Sequence, residues 1–106
     1  MPTFDEREKG FEGKFAHERE LEFKVKARRN KLLGAWAAEI LGLKGKDAEA
    51  YAREVVESDF RQVGEEDVFE KVWADLQGKS VNVTEHKVRK QMAELLETAR
   101  AQVMKQ

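Results

Sequence analysis

His17 and His86 are the only two histidines, they lie far apart, and each sits among polar neighbours. A zinc site needs three or four converging ligands, and only scattered carboxylates stand near either ring. Imidazole titrates near neutrality, so either could in principle sense pH, but their setting reads as solvent-exposed surface. Aspartate and glutamate number 21 against 20 lysines and arginines, interspersed as on a solvated helix face. General acid–base chemistry needs a carboxylate displaced by burial or a close neighbour, and no pair here is singled out for that. Without cysteine there is no disulfide, thiolate metal site or thiol nucleophile. Neither a P-loop nor a GxGxxG fingerprint occurs. Gly42-Leu43-Lys44-Gly45-Lys46 could attract a phosphate weakly, but reads better as a helix break with solubilising lysines. The expectation is no enzyme, no cofactor and no metal.

Two constellations remain. Lys24, Lys26, Arg28, Arg29 and Lys31 form the densest basic run. Lys24, Arg28 and Lys31 share a helical face and could meet an acidic partner or a phosphate backbone. The favoured reading is a solvated face paired with Glu18, Glu20 and Glu22. A nucleic-acid module would also want exposed aromatics or a recognition helix beside the patch. The second constellation is Phe4, Phe11 and Phe15, spaced seven and four apart. Phenylalanine buries a large apolar area, so three anchors on one stripe could serve as a helix-in-groove ligand. Arg7, Lys9, Glu12 and Lys14 would set register at the groove's polar rim. The competing reading folds these phenylalanines back into the chain's own core.

The elements that must position these residues are helical. One proline in 106 residues and an abundance of Ala, Glu, Lys, Leu and Arg predict an all-α chain. The first helix is predicted over about 5–41. Thr3 and Glu6 fit a capping box before it, and it would span roughly 50 Å, longer than so small a domain is wide. Its second half carries a wide apolar stripe of Leu21, Val25, Leu32, Leu33, Trp36, Ala37, Ile40 and Leu41. Its first half carries only the phenylalanines, with Gly10 and Gly13 each costing about 1 kcal/mol of helix propensity. Residues 1–16 are therefore expected to form a mobile segment, and residues 17–106 a four-helix-bundle body.

Three shorter helices follow. One covers about 47–63, with Tyr51, Val55 and Phe60 inward and Gly64 as its stop. The next covers about 66–77 and ends at Gly78. The last starts at Thr84, or at Asn82 with Glu85 as box partner, and buries Val88, Met92, Leu95, Leu96, Ala99 and Val103. Residues 79–83 connect the third and fourth as a loop, although their alternation would allow a short strand.

Charged residues make up 39% of the chain, yet its net charge is only −1. That balance argues against general nucleic-acid binding and against disorder throughout. No signal-peptide run or membrane-spanning stretch is present, so a cytoplasmic protein without its own anchor is expected.

The run from Thr3 through Phe4, Arg7, Lys9, Phe11, Lys14 and Phe15 to His17 resembles the zeta subunit of alphaproteobacterial F-type ATPases. So do Ala27-Arg28-Arg29-Asn30-Lys31-Leu32-Leu33-Gly34-Ala35-Trp36, Tyr51-Ala52-Arg53-Glu54-Val55-Val56, Glu66-Asp67-Val68-Phe69 and Met92-Ala93-Glu94-Leu95-Leu96. The likeness extends over essentially the whole chain, and its Arg-Arg-Asn-Lys-Leu-Leu-Gly block is specific. Gly13 departs from the helix-favouring residue more usual at its place. The resemblance implies a four-helix bundle that inhibits ATP hydrolysis by the F1 sector. It further implies an N-terminal segment that becomes helical at a catalytic interface of the alpha and beta subunits, beside gamma. Thr3, Phe4, Arg7, Lys9, Phe11, Lys14 and Phe15 are the partner-binding residues this implies. Location would be peripheral to the inner membrane through F1, with a free chain that is monomeric. A helical adaptor using the same phenylalanine stripe on another complex, and a nucleotide-sensing module using Lys24 to Lys31, are the alternatives.

Overall fold

In the computed structural model, residues 4–59 and 65–105 are described, with side chains from His17 onward. The apolar stripe predicted for the first helix is continuous with its polar start, and a single helix α1 runs Phe4–Leu41 over 38 residues, about 57 Å at ~1.5 Å per residue. Helices α2 (Lys46–Ser58), α3 (Glu65–Gly78) and α4 (Glu85–Met104) complete the all-α fold. α2 and α4 pack chiefly on α1, and α3 lies against all three. The molecule measures 66 × 24 × 22 Å.

The main core joins Leu33, Ala37 and Leu41 of α1 to Tyr51 and Val55 of α2, Val72 and Leu76 of α3, and Val88 and Met92 of α4. Each buried Val or Leu contributes about 1.5–3 kcal/mol by leaving water. A smaller cluster lies at the other end of the body: Val25 against Ala99 and Val103, flanked by Leu21, Leu32 and Leu96. The inward residues predicted for α1 and α4 are all buried or half-buried. α2 ends at Ser58, with Asp59 as its C-cap, short of the predicted 63. Phe60 and Gly64 lie outside the described residues.

Helix ends follow backbone hydrogen bonding. After α1, the Gly42 N–H donates to the Glu39 carbonyl and Leu43 N–H to the Ala38 carbonyl, the paired bonds of a Schellman cap. Gly42 occupies the left-handed position, at φ 80°. The same pair closes α3, with Ser80 N–H donating to the Gln77 carbonyl and Val81 N–H to the Leu76 carbonyl. Here the left-handed residue is Ser80, at φ 57°. Gly78, the expected terminator, lies two positions earlier, as the last helical residue. A side chain in that backbone region is strained. Ser80→Gly is therefore expected to raise stability by about 0.5–1 kcal/mol, read as a higher urea midpoint at unchanged slope. At α4, Thr84 is the N-cap, its Oγ1 accepting from the Lys87 N–H at 3.1 Å. The 79–83 connection contains no strand.

Gly34 lies where α1 crosses α2. A Cβ there would stand 2.6 Å from Ala52 Cα and 3.1 Å from Ala52 Cβ. The first of these is backbone and cannot rotate away, so the two helices would have to separate. Gly34→Ala should lose about 2 kcal/mol despite alanine's better helix propensity. Denaturant unfolding measures it, and an unchanged midpoint would show that the crossing yields freely.

Candidate protein-interaction arm

The body's grip on α1 begins at Leu21 among the described residues. His17, Glu18, Arg19 and Glu20, just before it, are all exposed. At the junction, Arg100 Nη1 of α4 donates to Glu22 Oε1 at 2.7 Å. That carboxylate also raises the Arg100 guanidinium above its ordinary pKa. α4 therefore runs antiparallel to α1 and ends beside its residues 21–25. α1 continues past that point as one uninterrupted helix, and its residues 4–20 are the candidate arm.

The backbone register of α1 puts positions 4, 11 and 15 on one stripe, seven and four apart. The side chains of Phe4, Arg7, Lys9, Phe11, Lys14 and Phe15 lie outside the described residues, as does Thr3 altogether. So does the expected mobility of residues 1–16.

The basic run divides. Lys24 pairs with Glu20 at 3.5 Å, both ends solvated, which is worth little. Lys26 and Lys31 are exposed and Arg28 half-buried. Arg29, the remaining member of the run, is only 1% exposed, and so is Asn30. Arg29 Nε donates to Asn30 Oδ1 at 2.7 Å. Its Nη1 reaches Glu65 Oε1 at 3.4 Å. Asn30 Nδ2 donates to Asp59 Oδ2 at 3.1 Å. Asp59 closes α2 and Glu65 opens α3, so adjacent residues of α1 hold both ends of the connection between those helices. Arg29 Nη2 is buried without a hydrogen-bond partner. Glu22, expected to pair within the basic run, instead pairs with α4.

Elsewhere the polar chemistry is structural. Arg89 makes a two-pronged contact with Glu66, at 2.9 and 3.1 Å, and covers the Phe69 ring with its guanidinium 3.9 Å from the ring centre. The hydrogen bond from Arg89 holds the Glu66 carboxyl below its usual range. Burial, and then the hydrogen bond from its hydroxyl to the Asp75 carboxylate at 2.9 Å, push the Tyr51 phenol well above its ordinary pKa. Lys71 bonds the same carboxylate at 3.1 Å and stands over the Tyr51 ring. His17 and His86 are exposed. No group of three metal-capable side chains occurs among the described residues. No helix among them is long and apolar enough to cross a membrane. The Gly42–Lys46 turn borders an open groove of about 790 Å³ between α1 and α2, whose lining includes Lys31, Leu43, Lys44, Ala48 and Arg53. The polar groups described here act in ion pairs, caps and helix junctions.

A family model described as ATPase inhibitor subunit zeta matches residues 1–102. A protein whose solution structure was determined by NMR is 49% identical, covering 80% of this chain and 96% of its own, with a TM-score of 0.71. No curated protein matches.

Proposed function

We propose that this chain, which belongs to the ATPase inhibitor subunit zeta family, blocks ATP hydrolysis by the F1 sector by inserting its arm at a catalytic interface of the alpha and beta subunits beside gamma. An inhibitory role toward an ATPase follows from the family. The site and manner of action are the proposal. One observation carries it: α1 runs unbroken from Phe4 to Leu41, while among the described residues the packing against the rest of the fold begins at Leu21. A helix continuing beyond its own domain, with phenylalanines in one register, is suited to filling a groove between subunits. Occupation of a rotary interface is steric and asks for no catalytic group on the inhibitor.

Within this reading Phe4, Phe11 and Phe15 fill apolar pockets. Thr3 caps the inserted helix, and Arg7, Lys9 and Lys14 meet polar groups at the rim. Burying three phenylalanines offsets the cost of ordering the segment. The chain then sits peripheral to the membrane through F1. The test is ATP hydrolysis by an alphaproteobacterial F1 sector, freed of its own inhibitor and titrated with the full chain. Saturable loss of hydrolysis is expected. An unaffected rate on a competent enzyme would sink the proposal and favour a helical adaptor for another complex.

A further inference from the structure

The open groove of about 790 Å³ between α1 and α2 has a cause in the sequence. Ala35 of α1 and Ala48 and Ala52 of α2 are too short to fill the angle between the two helices. Their methyl groups, with Val56 and Leu43, form its floor. Every polar residue on the lining is charged, and every other one is aliphatic or glycine. Among the described residues no aromatic, hydroxyl or amide side chain borders it. A nucleobase or a sugar would find no ring to stack on and no neutral side chain to pair with.

The charges are not spread evenly. α2 returns along α1 after the turn at residues 42–45, and Gly34 meets Ala52 where the helices cross. Lys31 lies about one turn before Gly34, and Arg53 directly follows Ala52, so both cations stand at the crossing end. Glu39, Glu49 and Lys44 lie toward the turn. Lys31 and Arg53 are exposed, and among the described residues neither makes an ion pair or a side-chain hydrogen bond. The groove therefore has a cationic end, from which an aliphatic trough runs roughly 17 Å, the rise from Lys31 to Gly42.

We propose that this groove binds a long-chain aliphatic carboxylate, a fatty-acid anion, with its head between Lys31 and Arg53 and its chain lying over the alanines toward Leu43. The volume is that of an ordinary ligand site, and such sites are mostly apolar with a few placed charges. The chain supplies most of the affinity by leaving water. The solvated ion pairs at the head add less and set the direction, because Glu39 and Glu49 repel a carboxylate from the other end. The site is separate from the arm and does not depend on its insertion.

The test is titration of the full chain with dodecanoate, kept below its micelle-forming concentration, followed by backbone amide NMR. Saturable shifts are expected at Ala35, Leu43, Ala52 and Val56, with a rise in the thermal midpoint. Octanoate, with four fewer methylenes, should bind about tenfold more weakly or worse. Lys31→Glu/Arg53→Glu should weaken dodecanoate about tenfold. The same charge change at Lys26→Glu/Lys90→Glu, also exposed, should leave it unaltered. Were the first pair to disturb the fold, Ala35→Leu fills the trough from an exposed position and should abolish the saturable shifts. Equal binding of dodecanol, or of dodecanoate to the Lys31→Glu/Arg53→Glu chain, would reduce the effect to hydrophobic adsorption and overturn the proposal. So would shifts scattered over the whole body, or ATP moving the same amides at lower concentration than dodecanoate. Self-association in sedimentation that Ala35→Leu removes would assign the groove to a second copy of the chain and overturn it as well.

Discussion

A chain beginning at His17 is expected to keep its helical body and to lose inhibition of ATP hydrolysis. Folding should survive because, among the described residues, the packing that holds α1 begins at Leu21 and extends through Val25 to the main core at Leu33, Ala37 and Leu41. The thermal midpoint should fall by no more than a few degrees, the scale of ~1 kcal/mol in a domain of this size. Inhibition should vanish because the anchors are gone. Within the full chain, Phe11→Ala and Phe15→Ala should each raise the half-inhibitory concentration by about thirtyfold, the effect of losing a well-buried aromatic anchor of ~2 kcal/mol. Lys9→Ala, at the rim, should change it only a few-fold and mainly at low salt. Retention of full inhibition by the truncated chain would relocate the activity to the body.

What the sequence discloses about this molecule follows physical locality. The stripe from Leu21 to Leu41 is periodic, and periodicity reports burial directly, so its inward residues and the bundle class are readable without coordinates. Thr84 as the cap of α4 is equally local, requiring only its own hydroxyl and an amide three residues on. Arg29 and Asn30 are not readable in that way. In a basic run the default for arginine is solvent. What buries these two is Asp59 and Glu65, which are 29 and 36 positions away. Gly34 resembles an imperfection in a long helix until Ala52 is found against it, and that approach also depends on a second element. Ser80 shows a local signal misplaced: glycine is the usual left-handed terminator, so Gly78 draws the expectation, whereas the register of the closing bonds sets the turn at Ser80. The Glu22–Arg100 pair is likewise not readable locally, because it depends on where α4 ends beside α1.

Loss of the Arg29 side chain should strongly destabilise the body. Arg29→Ala removes a fully buried side chain, opens a cavity, and deprives Asn30 Oδ1 of its donor at 2.7 Å. An unsatisfied buried acceptor together with a cavity costs about 3 kcal/mol. Because Arg29 and Asn30 hold Glu65 and Asp59, the loss should also loosen the ends of α2 and α3, read as faster amide exchange at Val68 and Phe69. Arg29→Met separates packing from charge. It preserves much of the volume and removes a guanidinium whose Nη2 has no partner and whose ion pair, at 3.4 Å, is with a carboxylate that is itself 56% exposed. The attraction gained from so solvated a partner is small, whereas the desolvation of a buried guanidinium is large. Replacing it with an apolar side chain should therefore cost only about 1 kcal/mol, chiefly from the unpaired Asn30 oxygen. Denaturant unfolding of the two variants beside the parent decides the matter. A gap of about 2 kcal/mol, with methionine the milder, would show that Arg29 is held for packing and for the orientation of Asn30. Equal losses would make the charge itself the stabilising element, and the contact with Glu65 far stronger than its exposure implies.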